Sequence, residues 1–537
     1  MWRERPRPRK LLVMATDVQV AIRKVVSVNP ATGKALREFE PATEQDVQAA
    51  VARARAAQPG WTEIGVPRRI AILRDFQRRL HGRKTDVAHV ITNEAGKPLA
   101  EALLTEVMVV LDATRFCTES VYAFLREESV PHGNLAMKTK SGRMIREPYG
   151  VVGIISPWNY PFSIPATETL SALVTGNAVV LKPSEFTSLC ALELAGLLHE
   201  AGVPEDVFQV LVGDGSTGSA MVAAEIDKLV FTGSAATGKR IAQAAAARLL
   251  PVVLELGGKD PMLVLDDADV EVASSGAVWG AFVNAGQACL SVERCYIHRS
   301  LYESFVEACV RKTKKLRVGN GTDPEIDVGP MIHERQLRIV ESQLEEAVSR
   351  GARVLAGGSR LEKLGRNFFA PTVLVDVNHE MQIMREETFG PVLPIMPFEN
   401  DEEAVRLAND SDYGLGASVW TRNLARGEAV AKRIQSGTVM VNDAVSCFGI
   451  SEALHGGVKA SGLGRTHGHF GLEEMVRVKY LDVDLLGGVK KSWWYGYGEK
   501  FTRQMEGVID LMFSRRWGQR LRGALLTAGT FKLKGKL

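Results

Sequence analysis

A chain of 537 residues is too long for a single hydrophobic core, so two or more domains are expected. Its apolar fraction of 45% and charged fraction of 24% are those of an ordinary globular protein, and no run of about eighteen uncharged apolar residues argues for a transmembrane helix. The net charge of +3 hides two basic ends, +5 over residues 1–24 and +8 over 490–537, around a body of −10, which points away from a nucleic-acid partner for the body.

The N-terminus carries Arg3, Arg5, Arg7, Arg9 and Lys10, followed by an apolar patch over 11–14 that is too short for a signal peptide. Residues 1–24 therefore read as a basic segment. Helical, charged stretches over 44–55 and 67–80 should pack beside whatever sheet follows. The six cysteines (Cys117, Cys190, Cys289, Cys295, Cys309 and Cys447) form no CxxC pair and no His/Cys cluster with zinc spacing. Free thiols in a reducing, cytoplasmic setting are expected, with no metal and with room for one nucleophile.

From Val151 the pattern becomes α/β. Short β-branched runs at 151–156, 178–183, 208–212, 228–232 and 252–256 are separated by helical stretches such as 188–201 and 238–249. That alternation implies right-handed crossovers and a parallel sheet. Ligands of such sheets sit at the carboxyl ends of the strands. One rim should therefore gather residues 156–159, 182–185, 213–215, 233–234 and 255–258. A second series, at 262–265, 295–298, 373–377, 392–397, 417–420 and 438–442, reads as a separate catalytic domain. Beyond Leu485 the composition shifts, with Trp493, Trp494 and Trp517 crowded into the end of the chain.

Three groups of residues at these positions carry chemistry. Phe231-Thr232-Gly233-Ser234 ends a strand and Thr237-Gly238 opens a helix, which suits a pyrophosphate on backbone amides. The spacing is not GxGxxG, and a plain tight turn fits as well. Lys182-Pro183-Ser184-Glu185 puts a cation and a carboxylate where ribose hydroxyls would lie, although a solvated surface pair has the same composition. A carboxylate there would repel a 2′-phosphate and favour NAD over NADP. Asn284-Ala285-Gly286-Gln287-Ala288-Cys289 reads either as core or as a nucleophile, and a nucleophile needs a base and an oxyanion donor. Glu255, set between Leu254 and Leu256, and Asn159, within Pro157-Trp158-Asn159-Tyr160-Pro161, are the candidates. An acid between apolar residues at a strand end is unusual as structure, because an unpaired buried carboxylate is costly.

Taken together, these motifs resemble the aldehyde dehydrogenase superfamily, and the resemblance runs from about Ser27 to about Leu485. It also takes in Glu94-Ala95-Gly96-Lys97-Pro98, Glu387-Thr388-Phe389-Gly390-Pro391 and Ser461-Gly462-Leu463-Gly464-Arg465. The resemblance implies an α/β fold with a Rossmann-type NAD-binding domain (25–127 and 150–256), an α/β catalytic domain (257–469), an oligomerisation arm (128–149 and 470–487) and an extension over 488–537. It implies NAD-dependent oxidation of an aldehyde to an acid through a thioester, by a homodimer or homotetramer. Cys289 matches the nucleophile, Glu255 the general base, and Asn159 the oxyanion donor beside the Cys289 amide. Lys182 and Glu185 match contacts to the adenosine ribose and Ser234 a contact to the pyrophosphate. Glu387 and Phe389 match contacts to the nicotinamide ribose and ring, while Trp158, Gly215 and Gly233 are expected to touch the cofactor beside them.

Two departures stand out. Relatives place Pro-Phe before Gly-Gly-x-Lys, whereas this chain has Leu454-His455, and His455 either makes the substrate wall more polar or turns outward. Ala288 and Leu290 flank the nucleophile with no arginine to grip an acid, which favours an apolar aldehyde. The extension resembles a branch that includes a plant endomembrane-associated class and fungal relatives. Residues 508–513 and 517–526, with Arg515, Arg516, Arg520 and Arg522, suggest a basic amphipathic helix, either on a membrane surface or packed on protein. Acyl transfer to coenzyme A or phosphate would not need Glu255, and a non-catalytic scaffold would have no use for Cys289, Glu255 and Asn159 together.

Overall fold

A computed structural model describes residues 24–134, 137–491 and 493–528. The basic segment read over 1–24 lies outside the described residues apart from Lys24, as does the end of the tail from 529. The chain divides into two compact units, one holding the described residues up to Leu125 with Glu147–Arg477, the other Arg126–Arg146 with the residues from Val478 onward.

Two sheets organise the first unit. One has six strands in the order Gly462–Leu463, Val252–Glu255, Lys228–Thr232, Val151–Ile155, Ala178–Lys182 and Phe208–Val210. All neighbours are parallel except the first pair. The chain builds outward from Val151–Ile155 to Phe208–Val210, then crosses back to Lys228–Thr232. The strand order therefore reverses between Val151–Ile155 and Lys228–Thr232, which opens a crevice at their carboxyl ends. Val151–Ile155 and Ala178–Lys182 are buried at every position, as a sheet covered on both faces requires. On its flank the helix Glu44–Glu63 starts at a reciprocal cap. Thr43 Oγ1 accepts from Asp46 N at 3.2 Å while Thr43 N donates to Asp46 Oδ2 at 2.8 Å, a device that stabilises a helix by about 1 kcal/mol.

The second sheet has seven strands, in the order Arg353–Ala356, Thr372–Val375, Val392–Phe398, Val292–His298, Asp260–Val264, Gly416–Trp420 and Thr438–Val441, with only the first antiparallel. Each sheet carries its own apolar core. The edge strand Arg353–Ala356 has no counterpart among the predicted runs. The helix expected over 238–249 is Ala235–Ala246, because Ser234 Oγ accepts from Thr237 N and starts it three residues sooner.

The second unit holds a three-stranded sheet, with Lys140–Pro148 between Glu128–Val130 and Val476–Asp484, and two helices, Glu499–Phe513 and Trp517–Thr527. Residues 470–477, expected in the arm, fall in the first unit, where they include the end of the helix Gly468–Glu473 and the fully buried Leu472. The tail is broken into two helices because Ser514 turns the chain, its Oγ accepting from Arg516 N at 3.1 Å and donating to Gln519 Oε1 at 2.7 Å. Among the described residues no helix is long and apolar enough to cross a membrane.

Candidate active site

The crevice at the strand-order reversal widens into a cleft of about 1140 Å³ within the first unit. Trp158, Asn159, Lys182, Glu185, Gly215, Gly233, Ser234, Glu255, Cys289, Glu387 and Phe389 all line it. Residues at the strand ends of the first sheet thus meet, in one cleft, loop residues that precede strands of the second.

One end is built from the first sheet. Lys182 closes its strand almost buried, with Nζ 3.6 Å from Glu185 Oε2. That separation is longer than a hydrogen bond, so both groups remain able to turn to a diol. Gly215 opens the helix Gly215–Ala223, and a Cβ there would meet nothing within 4 Å, leaving backbone free to face a ligand. At Gly233 a Cβ would come within 2.6 Å of the Phe231 ring, so only glycine fits the turn before Ser234. Glu387 accepts from Gly258 N at 3.0 Å, and the missing side chain of Gly257 leaves room for its carboxylate. Phe389 stands edge-on to Trp158, with centroids 5.3 Å apart. Free glycine backbone, a helix N-terminus at Ser234, a lysine–carboxylate pair and an aromatic wall fit a dinucleotide.

The nucleophile candidate follows three consecutive left-handed residues, Asn284 (φ 52), Ala285 (φ 56) and Gly286 (φ 73). Non-glycine residues hold such backbone only when their surroundings impose it, and several bonds impose it here. Glu101 accepts from Asn284 N at 3.0 Å, Asn284 Nδ2 donates to Asn159 O at 2.9 Å, and Gln287 is tied to Asn284 O and Ile332 N. Asn159 Nδ2 donates to Gln287 O at 3.0 Å, which uses one of its two amide hydrogens and leaves the other for the cleft. Burial pushes the Cys289 thiol well above its ordinary pKa, and the carboxyls of Asp260, Glu387 and Glu255 push it the same way.

At the other end, Glu255 finishes its strand buried, with no partner for either carboxylate oxygen. Burial raises its pKa well above the usual range, and Glu168 adds to the rise. Glu168 sits in the wholly buried helix Ser163–Thr175 and accepts from Thr232 Oγ1 at 3.0 Å. Thr232 is the cross-strand neighbour of Glu255. The second oxygen of Glu168 has no partner, and burial lifts its pKa to about 8. His455 faces inward, with Nε2 3.9 Å from Glu255 Oε2. Burial lowers its pKa to about 4, so the ring is neutral near pH 7 and this is not an ion pair. His467, pushed by burial to about 3, stands edge-on to His455, and Phe448 packs against both rings. Of the two readings of His455, the polar wall is the one the geometry matches.

Sequence reasoning missed Glu168, His467 and a supporting set of buried acids. Glu106 pairs with Lys97 at 2.6 Å and accepts from Phe162 N and Ser163 N, which caps the helix that carries Glu168. Glu293 pairs with Lys259 at 2.7 Å and accepts from Thr388 N and Phe389 N, which fixes the loop carrying Glu387 and Phe389. Glu94 accepts from Leu189 N and Cys190 N. Glu168 stands between Thr167 and Thr169 and so lacks the flanking apolar residues that singled out Glu255.

The aldehyde dehydrogenase family model matches residues 18–481. The chain is 38% identical over 492 residues to the 4,4'-diapolycopene aldehyde oxidase of a Methylomonas species, covering 91% of each chain. It is 38% identical over 472 residues to a putative succinate-semialdehyde dehydrogenase [NADP(+)] of Mycolicibacterium smegmatis, covering 86% of this chain and 90% of the relative. Among solved structures, the NAD+ complex of an aldehyde dehydrogenase from Bacillus cereus superposes with a TM-score of 0.83 at 36% identity, over 86% of this chain and 94% of that one.

Proposed function

The chain belongs to the aldehyde dehydrogenase family and oxidises an aldehyde with a nicotinamide dinucleotide, and from that premise we propose a hydrolytic, NAD-preferring enzyme for a neutral, apolar aldehyde. The observation that carries this reading is Glu255, a buried carboxyl with no partner for either oxygen, in the same cleft as Cys289. An unpaired buried acid costs stability, and a role in the reaction explains why that cost is kept.

In this reading Lys182 and Glu185 hold the adenosine ribose, and Gly215, Gly233 and Ser234 offer backbone and hydroxyl to the pyrophosphate. Trp158, Glu387 and Phe389 hold the nicotinamide end. A dinucleotide held there would supply the hydride acceptor. The Cys289 thiol, kept protonated at rest by burial, gives its proton to solvent as sulfur attacks the carbonyl carbon. The alkoxide that forms takes the free amide hydrogen of Asn159 and the backbone N–H of Cys289. Loss of hydride from the thiohemiacetal carbon leaves a thioester on Cys289. Glu255 then takes a proton from water, whose oxygen attacks the thioester. Collapse breaks the C–S bond, the sulfur takes the proton held on Glu255 to return as the thiol, and the acid is released.

The choice of nucleotide rests on Glu185, whose carboxylate repels a 2′-phosphate, although relatives are named for NADP. The substrate class rests on the acyl end. The cleft's cations Lys182, Arg240, Arg248 and Arg335 belong to elements of the dinucleotide side or stand close to His333, and the acyl end around Glu168 and Glu255 places no cation among its lining residues to hold an anionic substrate. Ile164, Phe448 and neutral His455 suit an uncharged chain or ring, nearer to a diapolycopene aldehyde than to succinate semialdehyde. Exposed Val478, Leu481 and Val483 on the strand Val476–Asp484 support a homodimer or homotetramer. Six free cysteines support a cytoplasmic setting.

Rapid mixing of the Glu255→Gln variant with NAD and an aliphatic aldehyde tests the mechanism. One burst of NADH followed by a steady state about 10²–10⁴-fold below wild type is expected, because acylation outlives hydrolysis. An unchanged steady-state rate would remove Glu255 from the role of base.

A further inference from the structure

The family match ends at residue 481, and the two tail helices lie beyond it. They cross closely because both contact points are glycines. A Cβ on Gly523 would fall 2.5 Å from Gly507 O, and one on Gly507 would fall 2.6 Å from Leu526 Cβ. With Gly523 and Thr527 buried, that side of the second helix faces the first. At about 100° per residue, Trp517, Leu521 and Leu525 then share one stripe on the far side. They are 75%, 53% and 79% exposed. Arg520 and Arg522 fall about 100° to either side of that stripe, and the helix Trp517–Thr527 contains no acidic residue. Ahead of it, Phe513 at the end of the first helix is 73% exposed, and the turn adds exposed Arg515 and Arg516.

An apolar stripe with an arginine on each flank is the pattern of a helix lying in a bilayer interface, where the rings and leucines enter the acyl boundary and the guanidinium groups reach back to headgroup phosphates. A second copy of the same hairpin fits less well. Stripe against stripe would bring Arg520 and Arg522 toward their own duplicates, and this helix offers no carboxylate to pair with them. Exposed Trp494, Tyr495 and Tyr497, earlier in the same unit, are side chains that favour the headgroup level. We propose that the hairpin Glu499–Thr527 docks the protein, reversibly and without spanning, on an anionic phospholipid surface through Trp517, Leu521 and Leu525 with Arg520 and Arg522. The inference does not depend on which aldehyde the enzyme takes.

The test is co-sedimentation of the full chain with vesicles of phosphatidylcholine alone or mixed with phosphatidylserine. Wild type should pellet with the mixed vesicles at low salt, leave them as ionic strength rises, and ignore the neutral ones. Each of Arg520→Gln and Arg522→Gln should weaken binding about fivefold. The triple variant Trp517→Ser, Leu521→Ser, Leu525→Ser should abolish binding while its turnover of a water-soluble aldehyde stays at the wild-type level, which shows that the enzyme is folded. Wild type remaining in the supernatant with anionic vesicles would overturn the proposal. So would a triple variant that keeps its vesicle binding but loses its oligomeric state on gel filtration, because the stripe would then belong to a second copy.

Discussion

The two ends of the cleft are built on opposite rules. At the dinucleotide end, Lys182 has Glu185 nearby, Glu387 has Gly258 N, and Ser234 caps its helix. At the acyl end, Glu255, one oxygen of Glu168 and Nε2 of His467 are buried with no partner. A binding surface has to be satisfied in its resting state, apart from the bonds its ligand completes. A reacting surface keeps capacity in hand for charges that exist only during the reaction. The cost of burying those groups is borne by neighbours that are fully bonded. Glu106 and Glu293 each hold a lysine and two backbone amides, and they clamp the helix of Glu168 and the loop of Glu387.

The sharpest way to break the comparison is to empty the reacting end alone. Cys289→Ala should lower NADH formation by at least about 10³-fold, while thermal unfolding and NAD affinity, read by protein fluorescence, stay as in wild type. A large loss of NAD affinity would show that the two ends are not separable. At the binding end, Glu185→Ser should raise the kcat/KM with NADP relative to that with NAD by about tenfold, the effect of removing one repulsion of about 1.4 kcal/mol. If wild type already uses both cofactors equally, Glu185 does not discriminate. The smallest effect is expected from Glu168→Gln. A base works ionised, so activity rises as pH passes through its pKa, and Glu255 is raised by burial and further by Glu168. Removing the neighbouring acid should shift the rising limb of kcat to lower pH, by less than about one unit. A shift to higher pH would mean that Glu168 supports the charged form of Glu255 rather than opposing it.

The dinucleotide end was the more legible in the sequence, for a physical reason. Its features are local: a β-branched run, a glycine turn and a helix start fall within a few residues, as in Phe231 to Thr237. Even there the cap at Ser234 moved the helix start, because a hydroxyl decides a boundary that periodicity cannot. The acyl end is assembled from distant segments. His455 reaches Glu255 across the antiparallel pairing of Gly462–Leu463 with Val252–Glu255, a two-residue strand with no periodicity to reveal it. Glu168 lies in a helix whose apolar neighbours read as core. Its role becomes visible only once Thr232 joins it to the strand beside Glu255. The edge strand Arg353–Ala356 was hidden similarly, since four residues show no clear alternation and gain their pairing from Thr372–Val375.

Gly286 has a consequence for anyone who would redesign this enzyme. A Cβ there would lie 2.2 Å from the carbonyl oxygen of Gly390, one residue past Phe389. The loop that presents the sulfur and the loop that presents the ring to the nicotinamide are therefore locked backbone to backbone, with no side chain between them to trim. Widening the acyl pocket by moving the nucleophile loop would drag the Phe389 loop with it. Room for a bulkier aldehyde has to come instead from side chains that face the cleft from elsewhere, such as Ile164, Phe448 and His455. Those positions are where a library should be spent, and residues 284–289 are where it should be left alone.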